Sequence, residues 1–275
     1  MTEILTTSLL HLLKPSIKVY LKNFYIKEIK ISCCNLDSAV NELLSVLKLK
    51  FPEYICVTDA GNLVNAYRKS PELKTAINNS LMSLPDGRPI SIFAGIKGID
   101  NIDRVAGPDF MKKVFERTSG TGIRHFFLGD TENILSKLIA DLKKNYDLQI
   151  AGFYSPPFGN WNSETDNLLL GKIREANADV IWVSLGGGKQ EVWMNNNYRK
   201  LNKGVMIGVG AAYRFYLGEI KRAPKIFQKL GLEWFFRLIQ QPGKMFKRYI
   251  TTLPFFIIYI TQDLFNKNKH DNPVH

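Results

Sequence analysis

Apolar and polar positions change their spacing repeatedly along this chain, and each change predicts an element. Tyr54-Ile-Cys-Val-Thr58 is a short apolar run that predicts a buried strand, and the pattern from Asn62 to about Asn78 predicts a helix. Leu81-Met-Ser-Leu84 stops at Pro85-Asp86-Gly87, a turn signal. Pro108 to Thr118 reads as a helix with proline at its start and Gly120 past its end. Then follow a strand at Ile123–Leu128, a helix at Glu132–Asn145, a strand near Gln149–Tyr154 and a helix at Glu164–Ala176. Asp179-Val-Ile-Trp-Val-Ser-Leu185 predicts a buried strand, Gly186-Gly187-Gly188 a loop, Lys189–Lys200 a helix and Val205–Val209 a last strand.

This alternation predicts an α/β fold, Rossmann-like, with a mostly parallel sheet flanked by helices. Residues 51–220 form the expected core, and residues 1–50 carry Lys-rich amphipathic stretches with no assigned role. Residues 221–275 form an expected basic, aromatic-rich helical appendage. From Lys221 to Ile250 there are eight Lys and Arg residues against one acid, Glu233, with Phe, Trp, Leu and Met between them. Pro242-Gly243 divides this region into two helical pieces. Two readings stay open: helices lying on an anionic membrane surface, or helices that pack their aromatics on the core and solvate their lysines.

Composition narrows the classes. At 45% apolar and 23% charged, the 275-residue chain is too apolar for disorder and can bury a large core. No run of 18 apolar residues predicts a spanning helix, and Met1–Leu13 does not read as a signal peptide. Three cysteines, Cys33, Cys34 and Cys56, suit neither a disulfide framework nor a zinc site and point to a reducing, cytoplasmic compartment. Lys and Arg number 37 against 25 Asp and Glu, a formal charge of +12 that calls for a phosphate, nucleic-acid or anionic-membrane partner.

The predicted carboxyl ends of the strands gather Thr58, Asp86, Gly129 and Gly186–Gln190, where ligands of parallel sheets sit. Asp86 is framed by proline and glycine, a rigid position for a general base; a turn aspartate bonding its own backbone is the alternative. The three glycines before Lys189 let backbone N–H groups approach a diphosphate, or form a plain flexible loop. Arg104 precedes a helix start, where it can meet a phosphate or pair with Asp103 or Asp109. His125 is expected to pack inside its strand. His11, His270 and His275 lie in the terminal regions, so no histidine-based catalytic set and no metal site is expected.

Taken in order, the motifs resemble the WecG/TagA/CpsF glycosyltransferases of bacterial surface-polysaccharide synthesis. The resemblance runs from about Tyr54 to Tyr249. It rests on Val57-Thr58, Leu84-Pro-Asp-Gly87, Arg104-Val-Ala-Gly-Pro-Asp109, Phe127-Leu-Gly129, Lys189-Gln-Glu191, Ile207-Gly-Val-Gly210, Arg222-Ala-Pro224 and Gly231-Leu-Glu-Trp234 with Arg237. It implies a metal-independent, inverting transfer from a UDP-sugar donor to a polyprenyl-diphosphate-linked sugar acceptor, at the inner face of the cytoplasmic membrane, with no cofactor and no nucleic acid. By the same resemblance Asp86 is the base, with Thr58 and Gln190 in the catalytic pocket. Asn62, Arg104, Gly129, Gly187, Lys189, Glu191, Gly210, Arg222 and Arg237 are then substrate contacts. Self-association is left open. The sequence departs from its relatives at Asp59-Ala60, at Gly188, and at Arg214, where relatives carry an acid between two aromatics. A non-catalytic nucleotide or nucleic-acid binding module is the competing reading, motivated by the charge.

Overall fold

A computed structural model describes residues 21–157, 159, 161–229 and 231–265. Met1–Leu13 with His11, Leu230, and the tail from Lys267 with His270 and His275 lie outside the described residues.

Six strands form one all-parallel sheet: β3 (Pro52–Thr58), β4 (Met82–Pro85), β5 (Arg124–Gly129), β6 (Gln149–Tyr154), β7 (Val180–Ser184) and β8 (Gly204–Gly208), in the order β4-β3-β8-β7-β5-β6. Strand period two sends alternate residues to opposite faces. Tyr54 and Cys56 therefore join one buried cluster, and Ile55 and Val57 the other. The first face is covered by α2 (Ala60–Arg68), α3 (Pro71–Asn79), α4 (Arg88–Ile96), α7 (Ser163–Glu175), α8 (Lys189–Asn197) and α12 (Pro242–Phe265). The second is covered by α1 (Leu36–Leu47), α5 (Gly107–Thr118), α6 (Glu132–Asn145) and α9 (Ala212–Tyr216).

The predicted alternation is present, with differences. The helix expected from Asn62 to Asn78 is two: Pro71 cannot extend α2, and Ser70 instead caps α3 by accepting from the Leu73 N–H. The sequence reading places no helix over Arg88–Ile96, where α4 forms with Ile90, Phe93 and Ala94 buried and Ile92 and Ile96 exposed. The expected helix over Lys189–Lys200 ends as α8 at Asn197 and tightens into a 3-10 turn. Among residues 1–50, the described part holds a hairpin, β1 (Asn23–Ile26) and β2 (Ile29–Ser32), followed by α1. Ile26, Ile29 and Ile31 are fully buried in the first-face core, and β2 is tied to β4 where the Ser83 N–H donates to Ser32 Oγ.

Two short helices, α10 (Lys225–Lys229) and α11 (Glu233–Gln240), lead into α12. That last helix packs on α2, where Tyr67 meets Tyr259 edge-on and the Arg68 guanidinium lies 3.3 Å from the Phe255 ring centre, and it reaches the hairpin turn, where Asp263 accepts from the Lys27 N–H. Met245, Phe256 and Tyr259 are buried, whereas Phe246, Ile250, Ile257 and Ile258 are exposed. No helix among the described residues is long and apolar enough to cross a membrane.

Topology sets the place for a ligand. From β5 the chain passes through α6 to the outer edge strand β6, while from β7 it passes through α8 on the opposite face to β8. Neighbouring strands whose connections leave in opposite directions open a crevice at their carboxyl ends.

Candidate active site

Parallel register aligns Thr58 with Pro85, so the residues just past them, Asp59 and Asp86, stand side by side at the rim of the sheet. Asp86 is fixed by the backbone on both sides: its N–H donates to the Thr58 carbonyl at 3.0 Å, and the Val105 N–H donates to the Pro85 carbonyl at 2.8 Å. Gly87, at φ +100°, turns the chain into α4, a conformation an L side chain resists. Thr58 itself is fully buried, its hydroxyl 2.9 Å from that of Ser83, so it supports the rim from behind.

The Asp86 carboxyl is partly buried and has no hydrogen bond or ion pair among the described residues. Burial raises its pKa to about 6; Arg104 and Arg237 oppose the rise, while Asp59 and Glu233 add to it. An unpartnered carboxyl poised near neutrality has the character of a general base. The turn-aspartate alternative is not what the geometry holds, because no backbone N–H of the turn is bonded to this side chain.

Charges brought from far along the chain surround it. Arg104 donates from Nη2 to Glu233 of α11 at 2.9 Å and lies 3.6 Å from Asp109, while its Nε is buried without a partner. Arg222 is bidentate on Asp109, with Nη2 to Oδ2 at 2.8 Å, and this pairing holds Asp109 below the usual carboxylate range against the opposing effect of burial. Arg248 of α12 pairs with Asp59, which also caps α2 by accepting from the Asn62 N–H at 2.8 Å. Although burial works to raise Asp59, Arg248 holds it below its ordinary value. Arg237 of α11 has no ion pair among the described residues; its guanidinium lies 5.3 Å from the Phe215 ring centre.

The crevice at the switch point has a volume of about 1440 Å³. Ser184 and the glycine turn Gly186–Gly188 run into the start of α8 on one side, and Asp130, Gly210, Arg214 and Arg237 also line it. Glu191 caps α8 by accepting from the Gly188 N–H at 2.7 Å, and accepts from Gln190 Nε2 at 3.0 Å. It has no exposed surface, and burial lifts its pKa to about 7 despite those bonds. Gln190, also buried, accepts from the Gly210 N–H at 3.1 Å, joining the β7–α8 turn to the β8–α9 turn.

The residues named from the sequence thus fall into three places. Asp86, Arg104, Arg222 and Arg237 share the rim. Gly187, Lys189, Gly210 and Arg237 line the crevice, so Arg237 belongs to both. Thr58, Asn62, Gln190 and Glu191 are buried behind these walls. Gly187 rests on Asn62, whose Oδ1 would lie 2.9 Å from an added Cβ. Gly129, at φ +100°, is needed for close approach of β5 to β7, since a Cβ there would overlap the Ser184 carbonyl. His125 packs as expected: it accepts from Trp182 Nε1, contacts Thr118 Oγ1, and burial lowers its pKa to about 4.

Asp59, Asp130, Arg214, Glu233 and Arg248 belong to the site although the sequence assigned them no role in it. Each acts through a partner distant in the chain, Arg248 across 189 positions, so local spacing carries no signal for them. The departure at Arg214 was visible, but not its partner, Asp130.

Among the described residues, no group of three or more His, Cys, Asp or Glu side chains is placed to hold a metal ion. A family model described as the glycosyl transferase WecG/TagA/CpsF family matches residues 24–270 of the 275. That span takes in the hairpin, the whole sheet, the rim and crevice, and the last helix. With a carboxyl-end crevice beside a rim of arginines around Asp86, and a match across nearly the full length, the chain belongs to the WecG/TagA/CpsF family of glycosyltransferases, which act in surface-polysaccharide synthesis.

Proposed function

We propose that the protein is an inverting glycosyltransferase that moves a sugar from a UDP-sugar to a polyprenyl-diphosphate-linked saccharide, with Asp86 as general base and no resident metal. The observation that carries this reading is the unpartnered Asp86 carboxyl, raised by burial and set among arginines at the rim. The acceptor hydroxyl gives its proton to Asp86 as its oxygen bonds to the anomeric carbon, and the bond from that carbon to the diphosphate oxygen breaks on the opposite side. UDP leaves with the electron pair. The negative charge it gains is met by guanidinium and backbone N–H groups, each such contact being worth a few kcal/mol in a transition state, about 3–4 by analogy with oxyanion donors.

The test is release of UDP from a panel of UDP-sugars with a lipid-diphosphate-sugar acceptor. Asp86→Asn should lower turnover by about 10²–10⁴-fold, the range removed with a general base, while leaving UDP affinity nearly unchanged. Near-normal turnover in that variant would show the base to lie elsewhere.

For the membrane, the reading is a peripheral contact through the exposed residues Phe246 and Ile250 on α12, beside Lys247. Removing the C-terminal segment cannot test this, because Phe256 and Tyr259 belong to the core. Phe246→Ser with Ile250→Ser changes only exposed side chains and should reduce sedimentation with anionic liposomes; undiminished binding would remove the membrane contact from this face.

A further inference from the structure

Asp130 and Arg214 form the most completely bonded ion pair that faces the crevice. Arg214 donates through Nε to both Asp130 oxygens, at 3.2 and 2.9 Å, and through Nη2 to Oδ1 at 2.7 Å. Its Nη1 has no hydrogen-bond partner among the described residues.

Asp130 is anchored independently of the arginine. Its N–H donates to the Ser184 carbonyl at 3.0 Å, its carbonyl accepts from Ser155 Oγ at 2.6 Å, and its carboxylate also accepts from the Thr131 N–H at 2.7 Å. It holds a left-handed backbone, φ 58°, right after Gly129 at the end of β5. The two side chains are unequally covered: 6% of Asp130 is exposed and 40% of Arg214. A bridge serving only to tether α9 to β5 has no need of such asymmetry. Here the anion is buried and the cation is left open, so the pair presents donors and positive potential to the crevice.

The neighbours reinforce that polarity. Tyr213 is buried and donates to the Trp182 carbonyl at 2.8 Å, while Phe215 lies against the Arg237 guanidinium. One three-residue stretch therefore anchors α9, exposes Arg214 and supports a second arginine that lines the same crevice. The other acids of the crevice are engaged: Glu219 with Lys137, Asp166 with Trp193 and Glu72 with Ser70.

We propose that Arg214, held by Asp130, binds the departing diphosphate of the donor nucleotide and contributes to donor selection. This rests on the inverting transfer described above, which distinguishes the two diphosphates of the reaction. Inversion puts the attacking hydroxyl and the leaving group on opposite sides of the anomeric carbon. Asp86, which must face the hydroxyl, follows β4, whereas Asp130, which holds Arg214 on the crevice wall, follows β5 on the other side of β3, β8 and β7.

Calorimetric titration of the full chain with UDP, UMP and geranyl diphosphate tests this. Two variants are compared with wild type: Arg214→Ala, and the double change Asp130→Asn with Arg214→Gln, which leaves no buried charge without its partner. Both should bind UDP 10- to 100-fold more weakly and lose most of the preference for UDP over UMP, with geranyl diphosphate unaffected. An intact UDP preference in the folded double variant overturns the proposal. Loss of geranyl diphosphate binding with UDP retained assigns Arg214 to the acceptor and overturns the donor assignment. If wild type binds neither UDP nor UMP, the donor reading fails first and takes this inference with it.

Discussion

Arg104 and Glu233 join the sheet rim to the C-terminal helices: Nη2 of the arginine donates to the glutamate at 2.9 Å, and both side chains are largely covered, 13% and 23% exposed. Arg104 precedes α5, Glu233 opens α11, and Asp86 feels the charge of both. The bridge therefore tunes the Asp86 carboxyl as well as closing the rim.

Removing one partner should have two effects. Glu233→Ala leaves Arg104 short of an acceptor in a poorly solvated place, at a cost of about 1–3 kcal/mol. It also removes a negative charge near Asp86. We expect a lower unfolding midpoint in denaturant together with an acid limb of activity displaced to lower pH. Stability loss without that displacement would make the bridge structural only.

The pH dependence of wild type follows from Asp86. A base works as the carboxylate, so turnover should rise with pH and level off above a midpoint near 6. The same shift affects folding in the other direction. Because the folded state holds this proton more tightly than the unfolded chain, the stability it contributes is full below about pH 4 and is lost as pH rises through about 6. A turnover profile with no inflection between pH 5 and 7 would count against Asp86.

Glu191 is predicted to be a structural carboxyl. Its bonds cap α8 and fix Gln190, so Glu191→Ala leaves the Gly188 N–H and the Gln190 amide short of an acceptor, costing about 1–3 kcal/mol. Its pKa is raised to about 7, so the stability it contributes is present below about pH 4.5 and declines as pH rises through 7. Denaturant titrations at pH 5 and pH 8 check this: the wild-type chain should lose more stability over that interval than the variant.

Gly129→Ala should be among the most damaging single-methyl additions. The left-handed backbone disfavours any side chain, and the new Cβ meets the Ser184 backbone, which cannot rotate away. Strain and overpacking together amount to about 2–6 kcal/mol, enough to deplete folded protein. Thermal unfolding compared with Gly95→Ala, where the space is open, separates the site from a general effect of losing glycine.

The sequence by itself determined the alternation of strand and helix, both ends of β6, the carboxyl end of β3, the ends of β4, β5, β7 and β8 to within one residue, and the position of Asp86 just past a strand. Those features are local: residue period, proline and glycine act over a few positions and leave their mark in neighbouring letters. The hairpin near the start was not legible, since four-residue strands are too short for a period to show. The fate of the basic C-terminal stretch was not legible either, since a helix carrying aromatics on several sides does not reveal which of them meets the core. Tertiary structure alone chose Phe256 and Tyr259 for burial and left Phe246 outside. It also paired Arg248 with Asp59, Arg104 with Glu233 and Arg214 with Asp130. Whether a carboxyl is a base or a cap depends on how much water the rest of the chain excludes and which cations it brings, and both are settled only when distant segments meet.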